Sequence, residues 1–284
     1  MEGAGAGAVV LADGRLLAFD DTGAPGGVPV VYLHGCPDCR LSRHPDDTIA
    51  ARAGVRLIAI DRPGYGASDP DPAGDQRTLA DDVVALADAL GIDRFAVLAW
   101  SAGGPSALAL AARHPDRVAV AGVACGVPEA AEPEERPDAL AAEMAPLVAT
   151  PGMPVDLARE SLLEGKDHHY RSDLASVDGL ADHLAAALST AVAGGLAGVE
   201  RDLREMATPW PFDPVAIAVP VLLWYGTHDP IAPPAVGEGI AARIHDARVD
   251  VVESSHLLPL VRWESLLITL VSEFERKEPH ASQP

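Results

Sequence analysis

The chain has 284 residues, 48% of them hydrophobic, and a formal net charge of −21. That length and apolar content suit one large α/β domain or a domain with an insertion, while a field of that sign repels nucleic acid and anionic membrane surfaces. No run of about 18 apolar residues predicts a transmembrane helix, and the segment from Met1 to Ala8 lacks the basic start of a signal peptide, so a soluble, cytoplasmic protein is expected.

In chain order, Val9 to Arg15 and Leu16 to Asp21 read as two short strands around an Asp13-Gly14 turn. Val28 to Leu33 and Val55 to Ile60 are continuous apolar runs, hence buried strands. They end in His34-Gly-Cys-Pro37 and in the turn-rich Asp61-Arg-Pro-Gly-Tyr-Gly-Ala-Ser68. A short helix is predicted over Ser42 to Ala53. Another covers Thr78 to Leu90, with Thr78 and Asp81 as a capping box and Gly91 as the stop. Phe95 to Trp100 is a strand, Pro105 to Arg113 a helix and Arg117 to Cys125 a strand. This alternation predicts a parallel sheet covered on both faces, with ligands at the carboxyl ends of its strands.

From 128 to 209 the pattern changes. A Pro-rich entry, Glu132 to Pro137, leads into amphipathic pieces at Asp138 to Thr150, Val155 to Glu164, Leu180 to Ala193 and Ala197 to Met206, and no convincing strand occurs. We read 128–209 as a helical cap insertion, and 1–127 with 210–284 as the core. The sheet pattern resumes at Val219 to Tyr225, followed by a helix over Pro234 to Ile244, a strand over Ala247 to Val252 and a helix over Leu257 to Glu275 that starts irregularly near Pro259. Lys277 to Pro284 reads as a frayed tail.

The strand–turn–helix at 95–113 places Ser101 at its apex, flanked by small residues in Ala99-Trp-Ser101-Ala-Gly103. Such a turn lifts a hydroxyl out of the sheet and aims a helix N-terminus at whatever it attacks. A serine hydroxyl needs a base within reach, and the base needs a partner that fixes its tautomer. His256 follows the last strand and Asp229 the one before, so the order is Ser101, Asp229, His256.

On these residues the sequence resembles the α/β-hydrolase fold family over essentially its whole length. The elbow is Ala99-x-Ser101-x-Gly103, the oxyanion-loop motif His34-Gly-Cys-Pro37, the third motif Asp61 to Ser68, and the acid motif Gly226-x-x-Asp229-x-x-x-Pro233. The resemblance implies an eight-stranded, mostly parallel sheet flanked by helices, with a helical cap inserted after the sixth strand. Ala99 replaces the usual elbow glycine, and Ser255 stands before the histidine where many members have glycine.

By chemistry, Ser101 is the nucleophile, His256 its base and then acid, and Asp229 the orienting acid. The backbone N–H of Ala102 and, by resemblance, that of Cys36 form the oxyanion hole. His34, Trp100 and Arg40 are candidate pocket residues, although His34 reads first as a brace for the oxyanion loop, Trp100 first as a packing residue, and Arg40 with Arg43 as a solvated helix face before they read as receivers of a substrate carboxylate. His168 and His169 read as an exposed polar pair, and His228 as exposed. Cys36, Cys39 and Cys125 are too few for a disulfide framework. Cys36-x-x-Cys39 has metal-site spacing, but a structural zinc site needs about four ligands, so the thiols read as incidental. There is no phosphate loop, dinucleotide fingerprint or complete metal set, and the expectation is no cofactor and no metal.

The expected function is a serine hydrolase acting through an acyl-enzyme on a small, mainly apolar ester, lactone or thioester, with no nucleic-acid or membrane partner and an oligomeric state the sequence leaves open. The same triad also serves acyl transfer, perhydrolysis, carbon–carbon bond hydrolysis or a biosynthetic cyclisation. A ligand-binding protein without turnover is the reading from another class. A proline iminopeptidase-like peptidase ranks lower, because such enzymes usually carry two glycines after the oxyanion-loop histidine and Cys36 replaces the second. Relatives that are dehalogenases or epoxide hydrolases use Asp, not Ser, at the elbow.

Overall fold

The computed structural model describes residues 5–134 and 137–277. The first residues of the N-terminal segment, residues 135 and 136 of the Pro-rich entry and the tail after Lys277 lie outside them. An eight-stranded sheet has the order β1-β2-β4-β3-β5-β6-β7-β8, where β1 is Ala6–Val10, β2 Leu16–Gly23, β3 Val28–Leu33, β4 Val55–Ile60, β5 Phe95–Trp100, β6 Val118–Ala124, β7 Val221–Gly226 and β8 Ala247–Val252. Only β2 runs against its neighbours; β3 to β8 pair in parallel. This is the α/β-hydrolase architecture expected from the sequence. The five inner parallel strands are almost wholly buried, which is why they read as unbroken apolar runs, whereas edge strand β8 alternates and is half exposed.

Parallel register decides where the chemistry falls. Leu33 pairs with Ala99, Trp100 with Ala124, Ala124 with Trp224 and Gly226 with Val252. The strands therefore stop in step, and the segments that follow them, at His34, Ser101, Cys125, Thr227 and Glu253, emerge along one edge of the sheet.

Several boundaries depart from the sequence reading. β1 is Ala6–Val10 rather than Val9 to Arg15, because residues 11–15 form the turn, with Leu11 N–H on the Arg15 carbonyl at 2.8 Å. Helix α1 is only Thr48–Arg52. Pro45 keeps His44 out of helical geometry, and Asp46 accepts from Thr48 N–H at 3.0 Å to start the helix there. Helix α2, Gln76–Ala89, begins before Thr78: Asp75 is the N-cap, with Thr78 reaching back to the Asp75 N–H at 3.0 Å. Asp81, assigned to the box from sequence, instead pairs with Arg113 and His114. Helix α3 is Gly104–Arg113, entered through a single tight turn at Ser101–Gly103.

Between β6 and β7 lie α4 Pro137–Val148, α5 Val155–Leu163, α6 His168–Ser176, α7 Leu180–Ala191 and α8 Ala197–Met206. The sequence reading missed α6, whose apolar residues are too few to show a stripe. Helix α9, Pro234–Ala241, precedes β8, and the expected last helix is two, α10 Leu258–Val261 and α11 Trp263–Lys277, broken at Arg262.

Candidate active site

The elbow is a strained turn. Ser101 sits at φ 52°, a left-handed value that costs an L-residue about 1–2 kcal/mol. Buried β5 on one side and α3 on the other hold it there. Gly103 is required: a Cβ on it would lie 2.5 Å from the Leu33 carbonyl oxygen. Gly35 lets the loop after β3 approach the serine, since a Cβ there would stand 3.2 Å from Ser101 Cβ. Ala99 is fully buried in β5 without disturbing the turn.

Asp229 and His256 arrive from the ends of β7 and β8. His256 Nδ1 lies 2.7 Å from Asp229 Oδ2. The other carboxylate oxygen accepts the N–H groups of Ile231 at 2.9 Å and Ala232 at 3.1 Å. Burial pushes this carboxyl up, but the His256 hydrogen bond and charge with the two backbone donors hold it below its ordinary value. An ionised Asp229 facing Nδ1 fixes the tautomer, leaving Nε2 able to accept a proton. Ser101, Ala102, Cys36 and His256 line one cavity of about 370 Å³.

The peptide between Gly35 and Cys36 is gripped through its carbonyl. Gly35 O accepts from Arg62 Nη2 at 2.8 Å and lies 2.8 Å from His34 Nδ1. His34 Nε2 accepts the Arg62 N–H at 3.0 Å, so the proton is on Nδ1. Burial and the Arg62 charge keep the imidazole well below its usual pKa, hence neutral. In a planar trans peptide the N–H points opposite the C=O, so this grip turns the Cys36 N–H away from Arg62.

Arg62 is itself anchored on α8. It meets Asp202 of α8 through two bonds of 2.6 Å, and Tyr65 Oη donates to the same carboxylate at 2.6 Å. Arg62 is 2% and Asp202 1% exposed. Asp202→Ala would leave the guanidinium buried and unpaired, which destabilises by about 3–5 kcal/mol; denaturant unfolding should show that loss. A double variant, Arg62→Met with Asp202→Leu, is expected to regain most of the stability but not kcat, because Gly35 O has then lost one of its two donors.

The remaining sequence candidates fall as follows. Trp100 lines the cavity, and its Nε1 donates to the His256 carbonyl at 3.0 Å. His34 is fully buried and braces the loop after β3 through the Gly35 carbonyl. Arg40 and Arg43 are not pocket residues: Arg40 pairs with Asp20 and Asp61, and Arg43 with Asp20 and Asp47. Asp20 within β2, Asp61 just after β4 and Asp47 at the start of α1 consume both guanidinium groups. His228 is half-buried, not exposed, and stacks on His169 with ring centroids 3.5 Å apart. The three cysteines are free thiols, and Cys39 Sγ donates to the Ala187 carbonyl at 3.2 Å.

Three further residues were missed. Cys125, at φ 51° after β6, sits with its sulfur, Asp229 and His256 all within 4.8 Å of one another. Burial and the Asp229 charge push its thiol well up, so it stays protonated. The three atoms could in principle surround a cation, but two of the groups are already bonded to each other and the third keeps its proton. Asp38 and Lys166 form a polar end of the cavity with Tyr170, over whose ring Lys166 Nζ stands at 5.1 Å. Burial raises the Asp38 carboxyl to about 7, against the Ser42 hydroxyl and Cys39 N–H, so it titrates near neutrality. The Cys36-x-x-Cys39 spacing of the loop drew the sequence reading to its thiols and carried no signal for Asp38.

The alpha/beta hydrolase fold family model matches residues 28–262, and the chain belongs to this family. It is 31% identical over 274 residues to a pimeloyl-[acyl-carrier protein] methyl ester esterase of Neisseria meningitidis, covering 88% of this chain and 94% of that protein. It is also 31% identical over 242 residues to a non-heme chloroperoxidase of Streptomyces lividans, covering 80% and 83%. Among solved structures, the enol-lactonase of Burkholderia xenovorans superposes with a TM-score of 0.74 at 23% identity, over 95% of this chain and 100% of that one, a likeness of fold. Among the described residues no helix is long and apolar enough to cross a membrane.

Proposed function

We propose that the protein is a serine hydrolase cleaving small, mainly apolar carboxylic esters, lactones or thioesters through an acyl-enzyme on Ser101. The observation that carries this is the Asp229–His256 pair at 2.7 Å, whose His256 lines the same cavity as the strained Ser101. Ser101 Oγ attacks the acyl carbon while its proton passes to His256 Nε2. The oxyanion forms against the N–H groups of Ala102 and Cys36. His256 returns the proton to the departing alcohol or thiol, and water then enters by the same base to release the acid.

The substrate class follows from the walls. Val127, Leu162, Leu184, Leu188, Leu203 and Met206 face the cavity. A volume of about 370 Å³ is at the small end of ligand pockets. The activities of the esterase relative and of the enol-lactonase of like fold agree with an acyl substrate. The chloroperoxidase relative favours a second reading, in which hydrogen peroxide replaces water and the acyl-enzyme is released as a peracid.

The test is a panel of p-nitrophenyl esters of rising acyl length, with the matching anilides, and intact-mass detection of a fluorophosphonate adduct. Short and medium acyl esters should turn over and long-chain esters should not, with anilides slower by about 100-fold or more. Peracid formed on adding peroxide would select the second reading. A wild-type protein that neither takes the adduct nor cleaves any ester would overturn the proposal and leave ligand binding without turnover.

A further inference from the structure

We propose that Asp173, on cap helix α6, is a positioning residue that holds the catalytic-base loop, so that the base of the proposed hydrolase is set in part by the cap. This rests on the serine-hydrolase reading above.

The argument starts from Ser255, the residue before His256. Its N–H donates to Asp173 Oδ2 at 2.7 Å and its hydroxyl to the same oxygen at 2.8 Å. The Ser254 hydroxyl donates there too, at 2.7 Å. Ser254 and Ser255 are 3% and 1% exposed, so without Asp173 these donors would be buried with no acceptor in its place. The Ser255 hydroxyl also accepts the Leu257 N–H at 3.2 Å. His256 therefore lies between two residues whose backbone N–H groups lead, directly or through one hydroxyl, to the same carboxylate oxygen. Trp100 holds the His256 carbonyl from the other side at 3.0 Å.

A second contact comes from the same helix face. His169 lies four residues before Asp173, one turn away, and its ring stacks on His228, the neighbour of Asp229, with centroids 3.5 Å apart. The His228 N–H in turn donates to the Ser254 carbonyl at 3.0 Å. Helix α6 thus touches both the acid loop and the base loop, and those loops touch each other. The serines at 254 and 255 are the core's half of a latch, and Asp173 is the cap's half. A glycine at 255 would keep the N–H but lose the hydroxyl that reaches Leu257.

All three donors meet one oxygen, so Asn at 173 can keep the contacts with its amide oxygen while Ala cannot. In the full-length protein, Asp173→Ala should take up a fluorophosphonate at least about tenfold more slowly than wild type. With a short acyl ester its kcat should fall by a similar factor while KM holds. Asp173→Asn should stay within about threefold of wild type in both readouts. Equal labelling of wild type and Asp173→Ala would overturn the inference, as would a loss confined to KM. An unlabelled wild type would overturn the hydrolase reading itself, and this inference with it. If Asp173→Ala does not fold, Ser254→Ala combined with Ser255→Ala removes two of the donors and keeps the cap carboxylate. Slower labelling of that protein at unchanged KM supports the latch, and wild-type labelling overturns it.

Discussion

Ser101→Ala is expected to lower ester hydrolysis by about 10⁶-fold and to abolish fluorophosphonate labelling, with the fold intact. The size follows from what remains. Alanine keeps the cavity, the His256–Asp229 pair and the oxyanion donors, so any residual rate must come from water activated beside a preorganised hole. Acyl transfer through the enzyme becomes impossible because no oxygen is left to carry the acyl group. Stability should change little: the hydroxyl is lost from a buried site, but alanine still has to adopt φ 52°, so the strain is not relieved. Intact mass and hydrolysis of a short acyl ester give the check together. A variant that keeps both the adduct and the rate would place the nucleophile elsewhere.

The sheet was legible because its inner strands are buried on both faces and therefore spelled as apolar runs. The order of the loops was legible because parallel strands bring their carboxyl ends to one edge, so Ser101, Asp229 and His256 could be expected there from their places after successive strands. What the sequence hid is the polar joint between helices α6 and α8 and the loops that follow the strands. Helix α8 carries Val199, Leu203 and Met206, which a periodic reading would bury, yet it also buries Arg201, Asp202 and Glu205. Asp202 is inside because Arg62 and Tyr65, more than 130 residues earlier, supply its partners, while Arg201 and Glu205 pair with each other one turn apart. No local pattern announces a partner at that distance. Asp173 was hidden for the same reason, in a short helix with little apolar content whose contacts lie with Ser254 and Ser255. Arg40 failed in the opposite direction. It lies near the oxyanion loop in sequence, and acids on β2 and after β4 claim it first.

Asp229→Asn is expected to lower kcat by about 10⁴-fold while leaving KM nearly unchanged. An asparagine has the same shape and can still accept the Ile231 and Ala232 N–H groups with its oxygen, because these two donors share one carboxylate oxygen. That choice turns the amide NH₂ toward His256 Nδ1. A donor now faces a nitrogen that had been a donor, so the imidazole takes the other tautomer, with its proton on Nε2. It can no longer accept the proton of Ser101, and a positive imidazolium would have no anion beside it. The same substitution carries a stability signature. The Asp229 pKa is depressed in the folded protein, so the ionised carboxylate contributes stability above its unfolded pKa of about 3.9, and that contribution is lost as pH falls through the depressed folded value. Wild type should therefore unfold at higher denaturant than Asp229→Asn at pH 7, with the gap closing as the solution is acidified below the ordinary carboxylate range. A rate loss without that converging stability curve would mean that Asp229 acts on His256 by shape alone. A stability difference without a rate loss would remove Asp229 from the catalytic relay and direct attention to Cys125, whose sulfur also lies within 4.8 Å of His256.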